Sequence, residues 1–189
     1  MSQVKILPLL PIRNTVVFPN SNLTFKVGRD FSVNAIEEAL KSKGKEIALV
    51  AQKKADQEVP KENSIFSVGT LCSVKQVVEG PGDVYHVFIE GIKRIKTGKL
   101  SFDDGFFTIE AGTFVTKKCR AIETEKARKL FEMTLSSYFS EMEIPEEITL
   151  PVFAIKDHSK FIDADTSMVY TADPMELQRV LETANICER

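Results

Sequence analysis

The chain has 189 residues, 43% of them hydrophobic and 28% charged, with a formal net charge of -2. That length suits one or two domains with a core large enough to need no disulfide or metal staple. No stretch approaches the roughly 20 apolar residues of a membrane helix, and the start, Met1-Ser2-Gln3-Val4-Lys5, lacks the apolar run of a secretory signal, so the expectation is a cytoplasmic protein without membrane contact.

Charge and cysteine use narrow the classes further. A near-neutral balance argues against a general nucleic-acid role, which needs a basic footprint. The balance is uneven: residues 1–118 carry +4 and residues 119–189 carry -6. Two modules of different character are therefore expected. Cys72, Cys119 and Cys187 are far apart and odd in number, a pattern unlike a disulfide framework, and no C-x-x-C marks a zinc site.

Taken in chain order, the first two thirds read as β-rich. Leu7-Pro8-Leu9-Leu10-Pro11-Ile12 is apolar but holds two prolines, which predicts an edge or bulged strand. Asn14 to Phe18 continues extended and turns at Pro19-Asn20. Leu23, Phe25 and Val27 alternate with polar residues, the period of a half-buried strand. A helix is predicted from Asp30, with Val33, Ile36, Ala39 and Leu40 on one stripe and Gly44 after its end. Ile47 to Ala51 reads as a buried strand and Lys53 to Asn63 as a surface loop. Leu71–Val78 and Val84–Glu90 flank the turn Glu79-Gly80-Pro81-Gly82-Asp83. Gly91 interrupts the pattern and predicts a bulge or bend. Asp103-Asp104-Gly105 predicts a second turn, between Lys99–Phe102 and Phe106–Ala111.

Near Lys117 the period becomes helical. One helix is expected from Ile122 to about Met142, with Ala127, Phe131, Leu135, Tyr138 and Met142 along one face. Pro145 and Pro151 are expected to bracket a linker, followed by a helix from Val152 to about Ala164. Asp173-Pro174-Met175-Glu176 is a helix start, with Asp173 as cap, Pro174 at the first position and Glu176 completing a capping box.

The chemistry that the sequence lacks is equally informative. Only two histidines exist, His86 in a strand and His158 in an acidic helical stretch, and both read as structural or surface residues. There is no G-x-S-x-G and no G-x-x-x-x-G-K-[ST], so neither a nucleophile elbow nor a phosphate cradle is present. Asp103-Asp104 and Asp163-Ala164-Asp165 read as turn and cap chemistry rather than metal ligands. Lys53-Lys54, Lys93-Arg94-Ile95-Lys96 and Lys117-Lys118 read as solvated faces. No catalytic residue, metal or cofactor is expected.

The unusual item is aromatic: 13 Phe against 3 Tyr and no Trp. Adjacent strand residues face opposite ways, so, if one face is core, one of Phe106 and Phe107 is expected to be exposed or covered by something else. Exposed apolar area of this kind marks protein-binding sites.

The run Leu7-Pro8-Leu9-Leu10-Pro11-Ile12-Arg13-Asn14-Thr15-Val16-Val17-Phe18-Pro19 resembles the opening signature of the Lon protease N-terminal domain. Phe25 to Arg29, Ala35 to Ala39, Ile47 to Lys53, Phe66 to Thr70 and Ile89 to Arg94 follow in the family's order. The resemblance covers residues 5 to about 115 strongly and extends more weakly to Glu188-Arg189. It implies an α+β fold: a PUA-like β-rich pseudo-barrel with one packed helix over 1–117, then a helical subdomain over 118–189, cut short at its C-terminal end. It also implies a non-catalytic domain that holds unfolded or damaged polypeptides. The parent would be a homo-hexameric, ATP-dependent serine endopeptidase whose ATPase and protease modules lie elsewhere in the chain.

Client contact is expected at Phe18, Leu23, Phe106 and Phe107. Pro11, Arg13, Pro19, Gly28, Gly69 and Gly91 carry the signature and are expected to be architectural. The alternatives are a stand-alone Lon-like protein-binding domain and, on fold analogy alone, a PUA-like RNA-binding module.

Overall fold

The computed structural model describes residues 4–82, 84–118, 120–168 and 173–189; Asp83, at the end of the first predicted turn, and Cys119 lie outside them. Six strands form one sheet: β1 (Lys5–Ile12), β2 (Asn22–Val27), β3 (Glu46–Ala51), β4 (Val68–Glu79), β5 (Tyr85–Asp103) and β6 (Phe106–Thr113). Their order is β2-β5-β4-β3-β1-β6, and β6 also pairs with β5. That last pairing closes β5, β4, β3, β1 and β6 into a ring and leaves β2 attached outside it. The expected α+β architecture is observed.

Closure explains how the strands use both of their faces. Leu7 and Leu9, Ala48 and Val50, Leu71, Ile95, and Phe107, Ile109 and Ala111 form one buried cluster. All five ring strands contribute to it, so it fills the ring. The opposite faces of β1, β3 and β4 (Leu10 and Ile12, Ile47 and Leu49, Cys72 and Val74) join a second core. Helix α1 (Asp30–Lys41) covers that face through Ala35, Ile36 and Ala39, each at most 3% exposed.

β1 is not an edge strand, contrary to the expectation from its prolines. It runs antiparallel to β6 through Lys5–Pro8 and parallel to β3 through Leu9–Ile12. Each half therefore pairs on one side only. The carbonyl of Pro11 accepts from the Arg29 guanidinium rather than from a strand. A residue's nitrogen and oxygen point the same way in a strand, so the missing N–H of Pro11 costs no ladder bond.

β5 is the long element, 19 residues, and it bends. Its first part pairs with β2 and its second with β6, while β4 follows it on the other side. At the bend the register slips: Leu71 faces Lys93 but Cys72 faces Gly91. Ile92 is thus the extra residue of a bulge, which turns its side chain outward to 41% exposure. Gly91 sits where the chain crosses itself. Asn20 N–H donates to the Gly91 carbonyl at 2.8 Å, and Gly91 N–H to the Ser21 carbonyl at 2.9 Å.

The remaining chain is helical: α2 (Ala121–Glu141), α3 (Glu146–Phe153), α4 (His158–Thr166) and α5 (Pro174–Glu182). The predicted linker is in fact α3. Pro145 caps it from outside, where no N–H is needed, and Pro151 sits near its end, so two prolines tolerate an eight-residue helix. The predicted helix from Val152 is correspondingly split. Asp157 starts α4 afresh by accepting from Lys160 N–H at 2.9 Å. Helices α2, α3 and α4 share a core of Leu135, Phe139, Val152 and Phe161.

Helix α5 starts as read, with the Asp173 carboxylate accepting from Met175 N–H at 3.0 Å and Pro174 in the first turn. It packs on the sheet instead of on α2 to α4: Leu181 belongs to the α1-side core, and Gln178 donates to the Val68 carbonyl at 2.9 Å.

A Cβ on Gly91 would lie 2.1 Å from the Phe18 carbonyl oxygen, and neither backbone can yield without breaking the two crossing bonds. Gly91→Ala is expected to cost about 2–3 kcal/mol, read as a lower urea midpoint with an unchanged slope. Gly82→Ala serves as the control for the space argument: a Cβ there meets nothing, although its φ of +72° carries its own smaller penalty.

Candidate substrate-binding surface

The helices are tied to the sheet through one buried guanidinium. Arg94 follows the β5 bulge and is 7% exposed. Its Nη1 and Nη2 donate to the two Asp163 oxygens of α4 at 2.6 and 2.5 Å. Its Nε donates to the Leu181 carbonyl at the end of α5, at 3.0 Å. The Phe18 ring lies beneath it, 5.9 Å from the guanidinium carbon. Arg189 reaches Asp163 from the C-terminal end at 3.6 Å. Burial, followed by repulsion from Arg94, lowers Arg189 to about 10, against the pull of Asp163. The basic run Lys93-Arg94-Ile95-Lys96 is therefore not a uniformly solvated face: its second member is the anchor of the molecule.

This tie holds α4 beside the mouth of the ring and leaves a cleft of about 790 Å³ between them. Pro19, Asn20, Ile92 and Lys93 line it on the sheet side, with Ser159 and Lys160 on α4. The corner Pro19-Asn20 leads directly into β2. That strand pairs only with β5 and has no strand on its outer side among the described residues. Leu23 and Phe25 are half-buried along it, and Phe88, opposite Thr24, is 39% exposed. Cleft, corner and open strand edge adjoin one another, the cleft lined by polar and apolar side chains alike and the edge offering unpaired backbone.

The expected contact residues divide on this surface. Leu23 lies on the open strand. Phe106 is half-buried against the α1-side core. Phe18, 1% exposed, and Phe107, 6% exposed, are core residues and present no surface to a partner. Phe107 is no contact residue because it lies on the buried face of β6, whose alternate residues are half-buried. Phe107 points into the ring against Phe31, at 5.2 Å between centroids, and Phe106 points toward α1. The exposed ring of that hairpin is Phe102, at 56%.

The signature residues have architectural partners. Arg13 donates to the Gln57 carbonyl at 2.7 Å. Pro19 turns the chain into the Gly91 crossing. A Cβ on Gly69 would lie 2.6 Å from the Leu49 carbonyl oxygen. Gly28 closes β2 before α1.

Sequence reading missed Arg94, Asp163 and Ile92. Their signals were present: a charge inside an alternating apolar pattern, an acid on the inner face of a helix, and the residue after a strand glycine. Among the described residues no group of His, Cys, Asp and Glu could hold a metal, and no helix is long and apolar enough to cross a membrane. Cys72 is buried and free, and burial pushes its thiol up, away from reactivity. Cys187 is disulfide-bonded, contrary to the reading of the cysteines as unlinked.

A second concavity, about 630 Å³, lies on the far side of α4, between α2, α4 and α5. It is lined largely by apolar side chains. Asp165, 1% exposed, is on its wall, and burial pushes that carboxyl up to about 7.

Comparison with known proteins places these features. The sequence profile of the ATP-dependent protease La (LON) substrate-binding domain matches residues 6–189. The Lon protease of Clostridioides difficile is 32% identical over 190 residues, covering 97% of this chain and 24% of that protein. The Lon protease of Clostridium acetobutylicum is 44% identical over 110 residues, 58% of this chain and 14% of that protein. The chain thus spans about a quarter or less of these relatives. Among solved structures, the N-terminal domain of Mycobacterium avium complex Lon protease superposes with a TM-score of 0.81. Its identity is 18%, over 97% of this chain and 93% of that one. A Lon N-terminal domain protein from Xanthomonas campestris superposes at 0.61 and 12% identity, over 96% and 92%. At those identities the superpositions speak for the fold.

Breaking one side of the Arg94–Asp163 fork strands a buried charge. Arg94→Met and Asp163→Asn are each expected to destabilise by about 3–5 kcal/mol in urea unfolding. The double variant Arg94→Met/Asp163→Asn is expected to lose less than the sum of the two, the difference being the coupling energy of the double-mutant cycle. Strict additivity of the two losses would show that the fork is not the tie.

Proposed function

The chain belongs to the Lon substrate-binding domain family, and from that premise we propose that its cleft and open β2 edge capture extended, apolar segments of unfolded or damaged polypeptides. The observation that carries this is the continuity of the unpaired β2 edge with the cleft at Pro19-Asn20. An extended segment adds main-chain hydrogen bonds along a free edge and sets alternate side chains into neighbouring pockets. Backbone pairing is indifferent to sequence, which suits a domain that meets many clients. Leu23 and Ile92 supply the apolar contact.

The domain performs no chemistry in this reading. The parent protein is proposed to be an ATP-dependent serine endopeptidase acting in the cytoplasm as a homo-hexamer, with its ATPase and protease modules in other parts of the chain. Each capture site binds weakly, because a disordered client loses entropy when it is held. Several sites in one ring raise the effective affinity by making the second contact intramolecular. The proposed division into a β-rich part, 1–117, and a helical part, 118–189, suits this role. The two are not independent bodies, since α5 packs on the sheet and Arg94 joins both.

The test uses a fluorescently labelled, permanently unfolded protein and the single variants Leu23→Ser and Ile92→Ser. Each removes a partly exposed apolar side chain, so circular dichroism is expected to stay native while affinity falls roughly tenfold, the equivalent of about 1.4 kcal/mol. Native-like affinity in both variants would remove the cleft and edge from the binding surface.

A further inference from the structure

The groove beyond α4 is a different kind of site from the cleft. Along α2 its wall runs from Thr124 to Tyr138, about 21 Å at helical rise. Ala127, Leu130 and Phe131 face it from α2, Phe161 from α4, and Leu177 and Val180 from α5. Leu130 is 68% exposed. Three helices thus present apolar side chains to one elongated trough with no fourth helix in it among the described residues, whereas helical bundles close such a trough with another amphipathic helix. The length and the straight helical walls fit a helix better than a strand.

Charge says what that helix carries. Both cations on the groove wall already meet a carboxylate, and Arg189 keeps its Nη2 buried without a hydrogen-bond partner among the described residues. Arg128 donates to Glu132 at 2.7 Å and to the Ile155 carbonyl at 2.7 Å. Arg189 pairs with Asp163. Among the acids on that wall, Asp165 has an Oδ1 that is buried with no hydrogen-bond partner among the described residues, as do Nδ1 of His158 and Nη2 of Arg189 beside it. An unpaired buried carboxylate oxygen is costly, and a cationic donor offsets that cost. The region as a whole, residues 119–189, carries -6.

We propose that this groove docks an amphipathic helical segment of a client polypeptide, apolar face inward, with a lysine or arginine of that segment meeting Asp165. The proposal rests on the polypeptide-capture reading above and adds a second mode to it: extended segments on the β2 edge, basic helical segments in the groove. α4 is the shared wall, with Ser159, Lys160 and Asp163 toward the cleft and Phe161, Ile162 and Asp165 toward the groove.

The binding has a pH signature. Asp165 ionises as pH rises through about 7, so a cationic segment gains its partner between pH 6 and 8 and affinity rises over that interval. The other charged or titratable groups facing the groove are His158 on α4, Arg128 and Tyr138 on α2, Glu176 on α5 and Arg189. Asp165→Asn keeps all of them, so the difference between variant and wild type isolates Asp165.

The experiment measures fluorescence anisotropy of two labelled peptides with the 189-residue chain. One is a 16-residue helix former with leucines at i, i+3, i+4 and i+7 and one lysine. The other is an extended peptide of alternating Val and Thr. Wild type is expected to bind the helical peptide at least tenfold more tightly than its proline-broken form, and more tightly at pH 8 than at pH 6. Leu130→Glu, on an exposed position, is expected to weaken the helical peptide at least tenfold and leave the extended one unchanged. Asp165→Asn is expected to erase both the pH trend and the preference for lysine over glutamate in the peptide. Wild-type helical binding in Leu130→Glu, a retained lysine preference in Asp165→Asn, or equal loss of both peptides in a folded Leu130→Glu would each overturn the proposal. Helical binding without extended binding would overturn the edge reading and leave this one standing; the reverse would overturn this one alone.

Discussion

The Arg94–Asp163 fork sets where the helical part of the chain stands against the closed ring. Burying two charges is expensive, because the interior replaces their hydration only in part. Here the replacement is extensive: two short bonds within the fork, a third from Nε to the Leu181 carbonyl, and Arg189 on the far side of the same carboxylate. A planar guanidinium accepts these partners only in fixed directions. The fork therefore dictates where α4 and the end of α5 stand relative to β5. Apolar packing tolerates sliding; this geometry does not.

The fork in turn depends on the bend in β5. The bulge at Ile92 shifts the residues after it relative to β4, and the chain at Phe18 to Ser21 crosses directly over Gly91. That crossing brings the Phe18 ring under the Arg94 guanidinium. One irregularity thus does three things: it exposes Ile92 to the cleft, buries Arg94 toward the helices, and turns the chain at Pro19-Asn20 into the open strand. Bulges recur beside functional surfaces because they re-aim side chains without ending a sheet.

Most of the fold was legible in the sequence because its signals are local. Alternation marked β2, the β4–β5 hairpin and β6; a single stripe marked α1; Asp173-Pro174 marked the start of α5. The failures share a different cause. Pro8 and Pro11 suggested an edge because the sequence does not show that β1 changes partner midway. Pro145 and Pro151 suggested a linker because proline is read as a breaker, yet one lies outside α3 and the other in its last turn. Phe106 and Phe107 do face opposite ways, but the alternation does not tell which of them enters the ring, and it is Phe107. Arg94 looked solvated because its partner is 69 residues away. Of the expected contact residues, Leu23 and Phe106 reach the surface; Phe18 supports it from below.

A surface meant to hold many polypeptides has to leave apolar side chains and an unpaired strand edge open, and both are hazards for a soluble domain. Exposed apolar area also contributes nothing to folding, since it is not buried. The structure separates the two demands. Stability rests on the filled ring and the α1-side core, both formed without the exposed groups. Position rests on a polar tie that does not rely on apolar contact and so does not compete with it. Ile92 and Leu130 sit outside these supports, and Leu23 flanks the α1-side core half-buried. On the proposed reading, the recognition surface is the part of the molecule relieved of structural duty. α4, fixed by Asp163 on one face, leaves Asp165 on the other face without a partner in the described fold, which is the state a binding site requires and a purely structural helix would have no reason to keep.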